Sequence, residues 1–205
     1  MRAPRRIPDE IDLGIADAGY RAHAQFTLNL QAVHPFRDGI GITPSLKLGL
    51  RDDLASAGAR SSRVMVVDDA VADAAKQRIT NSAVPLDGLL SVWLDSASRW
   101  PAIEALVRPL SSRLEAYLVL ESEPYPEQRR PRAEHYQVAL GERTPGMNQV
   151  ALLHKPDGLN YEQWYAIWRD GHGPKAYALQ SIFGYRQNTV VRALTYGAPL
   201  LHAIV

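Results

Sequence analysis

Residues 148–194 constrain the fold of this chain more than any other segment, because they specify a helix start residue by residue. A short apolar run at residues 150–153 predicts a strand, and the Pro-Asp-Gly sequence at residues 156–158 supplies the turn chemistry that ends it. Asn160 is a favourable N-cap because its side-chain oxygen accepts from the free amides of the first turn, and Gln163 occupies the capping-box position. The segment therefore predicts strand, turn and helix in that order.

The predicted helix carries an aromatic stripe, because its aromatic residues recur at three- and four-residue spacing: Tyr161, Trp164, Tyr165 and Trp168. His172 follows four residues later and continues the stripe towards the core. The Gly-His-Gly-Pro sequence at residues 171–174 predicts that the helix ends there. The helix is thus predicted over residues 161–171, with His172 at its exit.

Polar side chains follow this helix on a strand predicted at residues 185–194. Strand alternation puts Tyr185 and Gln187 on one face and Asn188 on the other. A strand with so many polar groups is not expected to be wholly core. It therefore supplies candidate site residues.

Together these residues resemble the EthD-type proteins of the dimeric α+β barrel superfamily. That family's pattern is a strand ending in a basic-Pro turn, a helix with Glu and Trp, a His followed by Gly-Pro, and a Gly-Tyr strand with Gln-Asn. Residues 95–123 are also similar to the first-half repeat of longer members. The positions that match the pattern cover about a quarter of the chain: His154, Lys155, Pro156, Glu162, Trp164, Trp168, His172, Gly173, Pro174, Gly184, Tyr185, Gln187 and Asn188.

The resemblance implies an α+β fold of ferredoxin-like βαββαβ units that form a dimeric α/β barrel, between chains or between the halves of one chain. It implies a small-molecule ligand and no bound cofactor. EthD-type proteins include partners of an ether-degrading monooxygenase system and fungal enzymes that decarboxylate or dehydrate aromatic polyketides. If this chain is active, the resemblance implies a lyase- or oxidoreductase-associated enzyme that uses acid/base chemistry on a small apolar or aromatic carbonyl compound.

The first half of the sequence is predicted to form one βαββαβ unit. Its hydrophobic patterns predict helices and strands in the required order. The predicted elements are a strand near Gln25, a helix at residues 46–57 ended by Gly58, a strand at 63–67, a short helix at 71–79, a strand at 89–94, a helix begun by Ser98 and kinked at Pro109, and a strand at 116–120.

Four segments are predicted: an irregular N-terminal segment at residues 1–45, a first ferredoxin-like unit at 46–123, a Pro-rich, charged connector at 124–147, and a second, EthD-like unit at 148–205. Residues 85–89 and 199–204 are alike once one gap is allowed, which indicates an internal repeat. The second unit reaches only a third strand, at residues 201–205, so we expect it to be incomplete at the C-terminus. An unpaired strand edge there predicts a homodimer, or a truncated family member without a competent pocket.

The composition excludes several classes of function. The 205 residues carry a formal net charge of +1 and no cysteine, which disfavours nucleic-acid and anionic-membrane binding and excludes disulfides and thiolate catalysis. No run approaches the length of a membrane span, and no apolar stretch follows the N-terminal arginines, so we expect a cytoplasmic location. The histidines lack metal-ligand spacing, and no nucleotide-binding glycine loop or serine-hydrolase elbow occurs, so no metal and no cofactor are expected.

The candidate catalytic residues are His172, Tyr185 and Asn188. His172 would move a proton because an imidazole titrates near neutral pH, while the other two would hydrogen-bond a carbonyl or phenolic oxygen where charge develops. Each has a structural alternative, which is a helix C-cap for the histidine and cross-strand pairing for the strand residues. The candidate substrate-binding residues, whose spacing or alternation also fits the core, are Trp168, Gln187 and Trp164.

Two functions remain open on this basis. The first is cofactor-free acid/base catalysis on a small carbonyl compound. The second is a non-catalytic homodimeric protein that binds a small molecule or serves as an accessory protein of a monooxygenase-type degradation pathway. The second function predicts saturable binding without a product.

Overall fold

The structure is a computed structural model that describes residues 23–31, 44–76, 79, 86, 88–111, 113–125, 138–139, 141–180, 182 and 184–205. At residues 23–31, 44–48, 75, 124 and 125 it describes the backbone alone. The irregular segment predicted at 1–45 therefore lies outside the described residues except at 23–31 and 44–45. Most of the predicted connector at 124–147 also lies outside them.

The described elements are strands and helices interspersed along the chain. The strands are β1 (His23–Gln31), β2 (Ala59–Val66), β3 (Gly88–Leu94), β4 (Arg113–Tyr125), β5 (Leu152–Leu153), β6 (Tyr185–Ala193) and β7 (Ala203–Ile204). The α-helices are α1 (Pro44–Ser56), α2 (Ala72–Ala75), α3 (Trp100–Val107), α4 (Tyr161–Ala166) and α5 (Gly173–Leu179). A π-helical segment, Ile167–His172, joins α4 to α5.

The described strands form one antiparallel sheet in the order β2-β3-β1-β4-β6-β7-β5. β1 lies between β3 and β4 and pairs antiparallel with both. β4 also pairs with β6, so the sheet continues from the first half of the chain into the second. The molecule is therefore an α+β protein built on an antiparallel sheet, as the sequence predicts at this level.

The elements of the first half follow the predicted order. β2 begins four residues earlier than predicted, β4 extends beyond the predicted strand at both ends, and two further differences lie at α3. Gly58 ends α1 with a φ of 99°, a conformation that glycine adopts without a Cβ penalty. Ser96, not Ser98, is the capping serine, and it caps the 3-10 turn Ala97–Arg99 that leads into α3, because its hydroxyl accepts from the Ser98 amide at 3.2 Å. Pro109 does not kink α3, because the helix already ends at Val107. A proline inside the helix would remove a backbone donor and crowd the preceding turn, so the helix stops before it.

One face of the sheet is covered by α1 and α3, and we call it the helix face. Its core joins alternate residues of β3 and β4 to apolar residues of the two helices. Burial of this apolar surface is the main term that stabilises the first half. The buried residues are Leu54, Leu90, Val92, Leu94, Trp100, Ile103, Val107, Leu114 and Ala116.

The other face of the sheet, which we call the second face, carries the remaining alternate residues. Tyr117 and Val119 of β4 pack there against Leu201 and Ile204. The Tyr117 hydroxyl donates to the Pro199 carbonyl at 2.9 Å, which ties the segment before β7 to β4. Burial and the negative charge of Glu115 raise the pKa of Tyr117, so this phenol stays protonated and remains a donor.

Replacing Tyr117 with Phe should lower the free energy of unfolding by about 1 kcal/mol, the net value of one hydrogen bond with the ring packing kept. Urea denaturation measures the change. Tyr196→Phe is the matched control, because Tyr196 is fully exposed and its hydroxyl loss should change stability little. Equal effects of the two substitutions would contradict the proposed tie between Pro199 and β4.

Candidate functional site

The start of α4 is fixed by the predicted capping box. The Asn160 side chain accepts from the Gln163 amide at 2.8 Å, and the Gln163 side chain accepts from the Asn160 amide at 3.1 Å. These two bonds satisfy amides that an uncapped helix would leave without partners. The cap therefore sets the rotation of the helix, and with it the direction of every aromatic residue that follows.

The aromatic stripe packs on the helix face of the second half. Trp164 and Trp168 are 6% and 5% exposed, and their rings stack with centroids 5.4 Å apart. Both pack with Ala203 of β7, and Leu153 and Leu159 lie against the same cluster. The two predicted substrate-binding tryptophans are thus core residues of this half.

The helix does not end at His172, and this corrects the sequence prediction. The chain passes through the π-helical segment Ile167–His172 and continues as α5 to Leu179. Pro174 lies in the first turn of α5, where its missing amide is tolerated, and Gly173 keeps an ordinary helical conformation. A C-cap role for His172 is therefore wrong. π-helical turns of this kind occur frequently at functional sites.

The π-helical segment brings His172 against β6. The Nδ1 atom of His172 lies 3.2 Å from the hydroxyl of Tyr185, and the tautomer of the imidazole decides which atom donates. Tyr185 is 8% exposed, whereas His172 itself is exposed. The wider π-helical turn changes the direction of the residues after Trp168, so His172 does not continue the buried stripe as predicted.

Gln187 lies beside this pair and is 2% exposed. Among the described residues its Nε2 atom has no hydrogen-bond partner. A Cβ atom at Gly173 would stand 3.3 Å from that Nε2 and 3.4 Å from Cε1 of Tyr185, so both side chains face the backbone of Gly173. A buried donor without a partner costs roughly 1–3 kcal/mol, which a ligand oxygen would recover.

Asn188 is not brought together with the other candidates. Its Nδ2 atom donates to the Ile204 carbonyl at 3.1 Å, and strand alternation turns it to the second face. His172, Tyr185 and Gln187 therefore share one side of β6, and Asn188 lies on the other. Sequence alternation already separated Asn188 from Tyr185, although both were assigned to one site.

His202 has a structural role that its sequence position did not indicate. Its Nδ1 accepts from the Lys155 amide at 3.1 Å, and its ring contacts the Trp164 ring edge-on at 5.6 Å. Partial burial, followed by the charges of Lys155 and His154, lowers the pKa of His202. The folded state therefore favours the neutral imidazole of His202. This preference stabilises the fold above the pKa of the unfolded state, and the stabilisation is lost as the pH falls through the pKa of the folded state.

A second polar cluster, which the sequence did not reveal, lies on the second face. It is formed by Glu121 of β4, Trp93 of β3, Arg63 of β2 and Arg186 of β6. Glu121 is 5% exposed. Burial raises the pKa of the Glu121 carboxyl, and the negative charge of Glu123 raises it further. The positive charges of Arg186 and Arg63 and the hydrogen bond from Trp93 lower it, but burial is the largest effect. These residues come from four strands, so no local sequence signal could have joined them.

Metal-binding clusters and membrane-spanning helices are both absent from the part of the chain that the structure describes. No group of three or more His, Cys, Asp or Glu residues there is placed to hold a metal ion. None of the helices described is both long and apolar enough to span a bilayer.

The fold defines the chain as an α+β protein with an antiparallel sheet. Its candidate site is the pair of His172 and Tyr185, which lies between the π-helical segment and β6. Comparisons with protein-family models, curated proteins and solved structures found no match to this chain. The function must therefore be argued from the residues themselves.

Proposed function

We propose that this chain is an EthD-like protein that performs cofactor-free acid/base chemistry on a small apolar or aromatic carbonyl compound. The observation that carries the proposal is the contact of 3.2 Å between Nδ1 of His172 and the Tyr185 hydroxyl. It joins two residues, one from the helix and one from the strand, that carry the family resemblance. Fold and chemistry are separate parts of this proposal.

For the fold, we infer two related units that share one sheet. β2-β3-β1-β4 with α1 and α3 has the element order and antiparallel pairing of a ferredoxin-like βαββαβ unit. β6-β7-β5 repeats the order β2-β3-β1 of the first unit, which supports an internal duplication. The pairing of β4 with β6 supports a barrel-type assembly, because it joins the fourth strand of one unit to the second strand of the next.

For the chemistry, His172 has the exposure and the support that a general base needs. When Nδ1 carries the proton and donates to the Tyr185 oxygen, Nε2 has a free lone pair that takes a proton from a carbon next to a carbonyl. The resulting imidazolium returns the proton through the same atom. The buried Nε2–H donor of Gln187 suits the oxygen on which negative charge develops.

The direct test is exchange of the α-protons of 2-tetralone, a small aromatic ketone, for deuterium in D2O, followed by proton NMR. We expect the protein to exceed the buffer rate and His172→Gln to lower the excess by at least about tenfold. His154→Gln is the control, because His154 is another exposed histidine of the same half. Wild-type exchange at the buffer rate, or equal rates for wild type and His172→Gln, would reject the catalytic proposal.

A non-catalytic homodimeric binding or accessory protein is the second candidate, and a different observation favours it. Several large apolar side chains are exposed in the second half, at Leu179, Val191, Tyr196 and Leu200. Exposed apolar side chains of this size are available to pack against a second copy of the chain. Light scattering that gives a dimer mass, with no exchange of 2-tetralone, would favour this candidate, whereas a monomer mass would oppose it.

A further inference from the structure

The backbone of His202 is fixed on both sides, and its ring is fixed by a helix. The His202 amide donates to the Leu153 carbonyl of β5 at 2.9 Å, and the Val190 amide of β6 donates to the His202 carbonyl at 3.0 Å. The ring lies edge-on against the Trp164 ring of α4, with the centroids 5.6 Å apart. Sheet and helix therefore hold the imidazole in one place, where its Nδ1 atom lies 3.1 Å from the Lys155 amide nitrogen.

The loop between β5 and α4, residues 154–160, is tied together by Lys155. The Lys155 ammonium group donates to the Leu159 carbonyl at 2.7 Å and to the Pro156 carbonyl at 3.1 Å. The Leu159 amide donates to the Pro156 carbonyl at 3.2 Å, and its side chain packs with the two buried tryptophans. The bond from the Lys155 amide to His202 joins this loop to the segment that enters β7.

That bond can form in only one protonation state of His202. A neutral imidazole accepts at one ring nitrogen and donates at the other, whereas both nitrogens of an imidazolium are donors. A backbone amide can only donate, so the neutral ring accepts at Nδ1 and carries its proton on Nε2. Protonation of Nδ1 would place one N–H group against another. Because the ring is held by sheet and helix, the loop is the part that must move.

We propose that His202 is a pH-sensitive latch, which holds the loop between β5 and α4 in place when it is neutral and releases the loop when it is protonated. The loop then separates from the segment before β7, just ahead of the capping box that begins α4. This inference goes beyond the proposed function and does not depend on it.

The charges around the ring favour the closed latch near neutral pH. The titratable groups that face His202 are Lys155 and His154 of the loop, while its contacts on α4 and β6, Trp164 and Val190, carry no charge. Partial burial, and then the charges of Lys155 and His154, lower the pKa of His202. The latch is therefore closed above the pKa of the unfolded state and opens as the pH falls through the pKa of the folded state.

The test is amide hydrogen exchange followed by NMR between about pH 7.5 and about pH 4.5, with the His202 ring resonances recorded in the same samples. The protection factor compares the exchange rate of an unstructured peptide with that of the protein at the same pH. We expect the protection factor of the Lys155 amide to fall by at least about fivefold as the His202 ring becomes protonated. The amide of Leu90, in the buried strand β3, is the internal reference and should stay protected.

Three variants separate the latch from other acid effects. His202→Asn offers an amide oxygen that accepts but does not titrate, so the Lys155 amide should stay protected over the whole pH range. His202→Phe keeps an aromatic ring without an acceptor, so the same amide should be unprotected at every pH. His154→Gln is the matched control, because His154 is an exposed histidine next to Lys155. It should keep the acid response, with a slightly higher midpoint because one positive neighbour of His202 is lost.

Four results would overturn the proposal. They are a Lys155 amide whose protection does not change while His202 titrates, a His202 ring that does not titrate above about pH 4.5, a His202→Asn variant that loses protection in acid as wild type does, and parallel loss of protection at Leu90, which indicates global unfolding. Protection of Lys155 in His202→Phe would also overturn it. Should that variant fail to melt cooperatively, wild type and His202→Asn decide the matter.

Discussion

Replacing Trp168 with Ala should lower the free energy of unfolding by about 3–5 kcal/mol, the range for removing a large aromatic side chain from a core. Trp168 is 5% exposed, stacks on Trp164 at 5.4 Å and meets the Tyr165 ring edge-on at 5.8 Å. Its loss removes buried apolar area and leaves a cavity between the helix and β7. Urea denaturation monitored by far-UV circular dichroism measures the change.

Tyr161→Ala is the control for this substitution. Tyr161 belongs to the same helix and stacks on Tyr165, but it is 41% exposed, so its removal should cost under about 1 kcal/mol. If Trp168→Ala lowers the free energy of unfolding only slightly but weakens the binding of a small-molecule ligand, this tryptophan belongs to a binding surface instead. The comparison therefore separates the two roles that helical spacing alone left open.

The parts of the fold that sequence patterns predict well are those set by local chemistry. The capping box of Asn160 and Gln163 is present as predicted, because both partners lie within one helical turn. The strand predicted near Gln25 is β1, and the alternation predicted for β6 separates Tyr185 from Asn188. In each case the signal lies within a few residues of the structure that it specifies.

The parts that the sequence did not predict depend on distant contacts or on a rare helix form. Glycine and proline after Trp168 are ordinary stop signals, yet the helix widens into a π-helical turn and continues, with Gly173 lying against Gln187 and Tyr185. The cluster around Glu121 required the pairing of four strands. Neither the exposure of His172 nor the burial of Glu121 could be predicted from spacing alone.

Replacing Gly173 with Leu should detach the π-helical segment from β6 and lower the free energy of unfolding by about 1–3 kcal/mol, the usual cost of overpacking. Even a Cβ atom at this position would stand 3.3 Å from Nε2 of Gln187 and 3.4 Å from Cε1 of Tyr185, and leucine adds three more carbons. The displaced helix would separate His172 from Tyr185. Urea denaturation measures the stability, and the histidine ring resonances in NMR spectra report on the contact.

Gly171→Leu is the matched control for Gly173→Leu, because it lies in the same segment and a Cβ atom there would have no neighbour within 4 Å. It should change stability by no more than about 1 kcal/mol, since a side chain in place of glycine also reduces the entropy lost on folding. If both substitutions reduce stability equally, the close contact between Gly173 and β6 is not what positions His172. If only Gly173→Leu removes the histidine–tyrosine contact and the exchange of 2-tetralone together, the geometry of this turn and the proposed chemistry are linked.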